Sequence, residues 1–180
     1  MVSECFKEHG ATSIRIAKNA TEAQALWQGR KAAFPAVGRI SPDYYCMDGT
    51  IPRGKVGYVL TRIQELALSY GLRVANVFHA GDGNLHPLIL FDASIDGQLE
   101  QAELLGGDIL TLCVDVGGTI TGEHGVGLEK MPQMPYQFAD AELAQFRRLK
   151  EAFDSECLLN PGKGIPTLKY CQEYRSLQHG

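Results

Sequence analysis

Apolar and polar positions alternate one by one over Ser13-Ile14-Arg15-Ile16-Ala17, the spacing of a half-buried strand. Asn19 and Thr21 then offer caps for a helix that runs to about Phe34. Its apolar stripe is Ala23, Leu26, Trp27, Ala33 and Phe34, and Arg30 stands on that stripe where an aliphatic residue is expected. Pro35 ends this helix, and a Gly/Pro-rich segment with aromatics fills Gly38 to Pro52. Pro52 opens a second helix through Val56, Val59, Leu60, Ile63, Leu66, Ala67 and Tyr70, with Gly71 placed to terminate it. Two strands follow, about Arg73 to Ala80 and Leu85 to Phe91. A third helix spans roughly Asp96 to Val116, with Leu99, Ala102, Leu105, Ile109, Leu112, Cys113 and Val116 inward. Glycines interrupt the pattern from Gly117 to Gly127, and a fourth helix, about Asp140 to Asp154, packs through Leu143, Phe146, Leu149 and Phe153.

Strand–helix followed by helix–hairpin–helix predicts an α+β fold, an antiparallel sheet covered by helices. At 180 residues the chain fits one domain, and 44% hydrophobic residues suffice for a real core. A net charge of −4 gives no electrostatic reason to bind nucleic acid. No apolar run approaches the ~20 residues of a membrane helix, and Met1 to Gly10 has no signal pattern, so the expectation is a cytoplasmic chain that is not transmembrane. Cys5, Cys46, Cys113, Cys157 and Cys171 are scattered, with no C-x-x-C pair, and read as reduced thiols. Neither a dinucleotide-binding G-x-G-x-x-G nor a G-x-x-x-x-G-K-[ST] phosphate loop is present.

The chemistry lies in two segments. In Val77-Phe78-His79-Ala80-Gly81-Asp82-Gly83-Asn84-Leu85-His86-Pro87-Leu88, four turn-forming residues, Gly81 to Asn84, separate two apolar runs. A four-residue loop over Gly81–Asn84 pairs Ala80 with Leu85 and His79 with His86. Directly opposite residues share a face with Cβ atoms about 4.5–5.5 Å apart. In Gly117-Gly118-Thr119-Ile120-Thr121-Gly122-Glu123-His124-Gly125-Val126-Gly127, glycine is too dense for a regular element. Bulges or the close approach of another group are the usual reasons. Together the segments supply His79, His86 and Glu123, with His124 adjacent. Two neutral imidazoles and a carboxylate suit Zn²⁺, Mn²⁺ or Fe²⁺ and leave coordination positions open, the layout of a catalytic site.

The runs NVFHAGDGNLHP (76–87), GGTITGEHGVGLEK (117–130) and LNPGKGIP (159–166) resemble the C-terminal domain of FAD-linked oxidases. LWQGRKAAFPAVGRISPDYYCMDGTIPR (26–53) is similar to the substrate-side segment of the glycolate oxidase flavoprotein subunit in that family, which also holds D-lactate dehydrogenases. The resemblance covers about Thr12 to Thr167. It implies a ferredoxin-like cap domain over residues 1–167, a tail over 168–180, and an absent N-terminal FAD-binding domain. It implies His79, His86 and Glu123 as metal ligands, His124 as catalytic base, Arg30 as the grip on the substrate carboxylate, and Asn160 beside the flavin. The implied cofactors are FAD and a divalent metal (Zn, Mn or Fe), and the implied substrate is a small 2-hydroxy acid, glycolate or D-lactate, oxidised to the 2-oxo acid with hydride passing to flavin. Family members acting on larger dicarboxylates place threonine at the position of Phe34 and lysine near Cys46, so this chain points to a monocarboxylate. The implied partners are a flavin-binding domain and further, iron–sulfur, oxidase subunits, through which the chain would sit peripherally at the inner face of the membrane. The chain alone is expected to be inactive.

Two other readings stay open at the level of sequence. One is a stand-alone metal-dependent hydrolase using the same His/His/Glu set. The other is a non-catalytic domain that docks on other oxidase subunits.

Overall fold

The structure, a computed structural model, describes residues 2–166. Thr167, the expected tail over 168–180 and Cys171 lie outside the described residues. The chain divides into two compact units, Met1–Arg39 and Ile40–Gly180.

The first unit holds helices α1 (Val2–Glu8), α2 (Ala20–Lys31) and α3 (Ala33–Val37). Asn19 caps α2 as expected, its Oδ1 accepting from Glu22 N at 2.9 Å. Glu22 reaches back to accept from Lys18 N at 2.8 Å. The predicted strand over residues 13–17 does not form. A strand exists only with a ladder partner, and that segment has none among the described residues, so alternation alone misled. The helix also stops at Lys31, short of Phe34. It breaks at Ala32 and restarts as α3, with Pro35 in the first turn of the new helix. There its missing N–H costs nothing, so Pro35 does not end a helix as expected. Of the anticipated apolar stripe, Leu26 is 40% and Trp27 65% exposed, and α2 buries no residue.

The second unit is built on three antiparallel strands in the order β1-β3-β2: β1 (Asp43–Cys46), β2 (Arg73–His79) and β3 (Asn84–Phe91). The α+β expectation holds. β1 arises from the segment read as irregular, where Asp43-Tyr44-Tyr45-Cys46 is too short to show alternation by itself. Against the sheet lie α4 (Val56–Ser69) and α5 (Gln98–Asp115), followed by the short α6 (Met134–Gln137) and then α7 (Asp140–Phe153). Single 3₁₀ turns at Arg53–Lys55 and Met131–Gln133 lead into α4 and α6. Odd positions of β3 (Leu85, Ile89, Phe91) join Met47 in one core with Val59, Ile63 and Ala67 of α4 and Ala102, Leu105, Ile109 and Cys113 of α5. This matches the helical spacing read from the sequence. In α7 only Leu143 is fully buried; Leu149 and Phe153 stay 61% and 82% exposed.

The even positions of β3 face away from that core, and they include Asn84, His86 and Leu88. The hairpin between β2 and β3 carries the main correction. Its loop is Ala80–Gly83, and the register pairs His79 with Asn84 and Val77 with His86. The expected His79–His86 opposition is therefore wrong. Gly83 sets the loop: its φ is +77°, and a Cβ there would stand 2.1 Å from the Ile51 carbonyl oxygen. The loop keeps four residues but closes one position earlier on each strand. That changes the register sum by two, so both histidines stay on one face and become diagonal neighbours.

Candidate metal centre and active site

Strand β1 runs on into a segment that clamps the glycine-dense loop. Met47 N donates to Pro87 O (3.1 Å), Leu85 N to Gly49 O (2.9 Å) and Ile51 N to Gly83 O (2.9 Å), which ties 47–51 to the start of β3. On its other edge Thr50 and Thr119 exchange two backbone hydrogen bonds, each 3.0 Å, and their hydroxyls meet at 2.6 Å. The glycine segment is thus laid across the end of the sheet where the hairpin carries its histidines.

Asp48, fully buried, fastens the tip of that segment. Its Oδ2 accepts from the backbone N–H of Gly122 (3.1 Å), Glu123 (3.1 Å) and His124 (2.8 Å), from the Thr121 hydroxyl (2.8 Å) and from Lys130 Nζ (3.0 Å). Lys130, 1% exposed, also donates to Thr121 Oγ1 at 3.0 Å. Burial works to raise the Asp48 carboxyl, but the His124 N–H, the Lys130 ammonium and the Thr121 hydroxyl outweigh it and hold the group well below the usual aspartate range. A charged Asp48 is a clip for the loop. It lies among potential ligand atoms of His86, Glu123 and His124, yet its Oδ2 is engaged by these five donors and its Oδ1 accepts from Glu123 N at 3.2 Å.

The clip presents Glu123 and His124 to the hairpin. Glu123 Oε1 lies 2.8 Å from His86 Nε2 and 3.7 Å from His79 Nε2. The two imidazoles meet edge to face, with centroids 5.4 Å apart. Asn84 Nδ2 donates to the same Glu123 oxygen at 3.1 Å. Gly122 makes that approach possible, since a Cβ there would fall 2.7 Å from Asn84 Oδ1. His124 stacks on His86, with centroids 5.1 Å apart and planes 21° apart. His86 is buried, whereas His79, Glu123 and His124 are open to solvent. The donor types suit a divalent ion: ligand atoms of His86, Glu123 and His124 lie within 4.8 Å of one another, and His79 Nε2 stands at the side of this group, 3.7 Å from Glu123 Oε1.

The structure therefore brings together four residues singled out from sequence: His79, His86, Glu123 and His124. Asn160, with φ +46°, sits in an exposed turn after α7. That turn is tied to the glycine segment by Gly164 N donating to Gly127 O at 2.8 Å. A cleft of about 360 Å³ is lined by both His124 and Lys163. Arg30 lies half-buried in the last turn of α2, in the first unit. Sequence reasoning missed Asp48, Lys130 and Asn84, whose roles come from contacts across 39 to 82 positions of chain. It also gave no role to Cys46, the last residue of β1. Burial, then Asp48, push the Cys46 thiol up to about 11.

The sheet's hairpin and the overlying glycine loop gather His79, His86, Glu123 and His124 at one open edge, a candidate ligand site. Residues 1–164 match the family described as FAD linked oxidases, C-terminal domain, and the chain belongs to that family. It is 58% identical over 181 residues to glycolate oxidase subunit GlcD of Escherichia coli (strain K12), covering 99% of this chain and 36% of that protein. It is 36% identical over 157 residues to glycolate oxidase subunit GlcD of Bacillus subtilis (strain 168), with 87% and 33% covered. It is 30% identical over 168 residues to the mitochondrial cytochrome D-lactate dehydrogenase of Arabidopsis thaliana, with 92% and 30% covered. The chain spans about a third of the length of these relatives. Cys5, Cys46, Cys113 and Cys157 are free thiols. No helix among the described residues is long and apolar enough to cross a membrane.

Proposed function

We propose that this chain is the substrate- and metal-binding part of an FAD-dependent 2-hydroxy-acid dehydrogenase that oxidises a small monocarboxylate, glycolate or D-lactate, to its 2-oxo acid. The observation that carries the proposal is the convergence of His79 Nε2 and His86 Nε2 on one oxygen of Glu123, with the His124 ring stacked beside them. Family membership supports the oxidoreductase over the stand-alone hydrolase, and the intact donor set speaks against a domain kept only for docking.

His79, His86 and Glu123 would hold a divalent ion, which would supply positive charge near the substrate hydroxyl, and FAD would supply the hydride acceptor. The residues of this chain do the rest. Arg30 pairs with the carboxylate, a fork suited to a bidentate grip. His124 takes the hydroxyl proton on a ring nitrogen as general base. Asn84 holds the Glu123 carboxylate in orientation, and the Asp48 clip keeps Glu123 and His124 on a fixed backbone. Asn160 is assigned to the flavin side of the site. Residues 1–167 form the domain, which works with a flavin-binding domain and with further, iron–sulfur, oxidase subunits; through them it sits at the cytoplasmic side of a membrane.

The test is elemental analysis of the purified chain, followed by addition of a matching flavin-binding domain and an assay of dye reduction by glycolate and D-lactate. Stoichiometric divalent metal and hydroxy-acid-dependent reduction, both lost in Glu123→Gln, are expected. A metal-free chain that still supports full turnover would sink the reading.

A further inference from the structure

The thiol of Cys46 extends the ligand set in a direction the proposed reaction does not use. Cys46 pairs with Leu88 in the β1–β3 ladder, two residues along β3 from His86. Alternation therefore places Cys46 on the same face as His86. One ligand atom from each of Cys46, His86 and His124 lies within 4.8 Å of the others. The thiol is half-buried, free of any disulfide, and donates to the Met47 carbonyl at 3.4 Å.

We propose that Cys46, His86 and His124 form a second, thiolate-containing metal mode that selects soft divalent ions such as Cd²⁺ and Zn²⁺ over Mn²⁺. The inference rests on His86 being a ligand of the proposed site. Thiolate sulfur prefers soft ions, whereas the His/His/Glu set with its open oxygen positions also serves Mn²⁺. Binding breaks the Cys46 S–H bond, forms a sulfur–metal bond and releases the proton to solvent. Because His86 belongs to both sets, the two modes exclude one another wherever both draw on Nε2, the nitrogen that faces Glu123. Because His124 belongs to the soft set, filling it removes the ring proposed as base. A thiophilic ion therefore inhibits twice: it displaces the productive ion and occupies the group that takes the proton.

The experiment uses the full chain stripped with chelator, with Co²⁺, Cd²⁺ and Mn²⁺ as probes. The wild-type chain should show a thiolate-to-cobalt charge-transfer band. Cys46→Ser and Cys46→Ala should both lose it and bind Cd²⁺ about tenfold or more weakly. Their Mn²⁺ binding, followed by electron paramagnetic resonance, should be unchanged. His79→Ala should weaken Mn²⁺ and keep the cobalt band. Cobalt bound without the band, or Cd²⁺ affinity indifferent to both Cys46 variants, overturns the second mode while leaving the His/His/Glu reading intact. Mn²⁺ binding indifferent to His79→Ala and Glu123→Gln overturns the His/His/Glu reading itself.

Discussion

Asp48 and Lys130 meet at 3.0 Å with both side chains sealed from water, although 82 positions of chain separate them. Their contact joins the segment after β1 to the end of the glycine-dense loop. Between those points hang the backbone N–H groups of Glu123 and His124. Desolvation offsets much of the Coulomb gain of such a pair, so its worth lies less in net stability than in the loop conformation it fixes.

Removing one partner is a different matter, because it leaves the other a buried charge without its counter-ion. Lys130→Met is expected to cost about 3–5 kcal/mol, read by urea unfolding at neutral pH. The double variant Asp48→Asn/Lys130→Met should recover part of that loss, since no lone charge remains. A Lys130→Met chain as stable as wild type would show that Asp48 finds water or another donor in place of the ammonium.

The same pair sets an acid limit on stability. The folded chain holds the Asp48 carboxyl below its ordinary value, so the unfolded chain binds that proton more readily. Stability from this group is complete above the unfolded value, about pH 4, and drains away as pH falls through the depressed folded value. The difference in unfolding free energy between wild type and Asp48→Asn should accordingly shrink as pH drops below about 4. Asp154, lowered first by its hydrogen bond from Lys150, adds a loss of the same sign in both chains and cancels in the comparison. A difference that stays flat from neutral pH into acid would refute the assignment to Asp48.

Much of this arrangement was legible in the sequence because it is local. Helical spacing marked α4 and α5, and two apolar runs around a turn marked the hairpin. The hairpin register was not legible, since Gly81, Asp82, Gly83 and Asn84 all tolerate turns and nothing local says which four form the loop. Gly83 settles it only through the Ile51 carbonyl that packs over it, a long-range contact. The histidines survived the error because the correction kept the parity of the strands. β1 escaped notice since four residues carry too little pattern, and the false strand at 13–17 shows the converse: alternation without a partner makes no ladder. Glu123 and His124 were visible as polar residues among glycines. Asp48 and Lys130 were not, because an isolated acid and an isolated lysine look alike on a surface and in a buried pair.

Asn84 should tune the metal without touching it. It donates to Glu123 Oε1 at 3.1 Å, the oxygen that also faces both histidines. Partners of this kind fix ligand orientation, and their loss costs about ten- to a hundredfold in metal affinity. Asn84→Ala is expected to fall in that range for Mn²⁺ or Zn²⁺, measured by competition with a chromophoric chelator. Asn84→Asp should do worse, because a second carboxylate beside Glu123 repels it. Equal affinity in wild type and Asn84→Ala would mean that Glu123 orients itself, or that it is not a ligand.

His124 allows the sharpest separation of roles. A general base within reach of the substrate hydroxyl contributes about 10²–10⁴-fold to turnover. His124→Ala, in the protein joined to its flavin-binding domain, should lower kcat by that order with little change in KM, read as dye reduction by glycolate. The stacking of His124 on His86 complicates the variant, since losing the ring exposes a proposed ligand. Metal content must therefore be measured alongside. His124→Gln, which keeps bulk against His86 but accepts no proton at neutral pH, should retain the metal and remain as slow as the alanine variant. If the glutamine variant recovers most of kcat, the ring serves packing and the proton leaves by another route. If only KM rises in either variant, His124 binds substrate in the ground state and the base lies elsewhere.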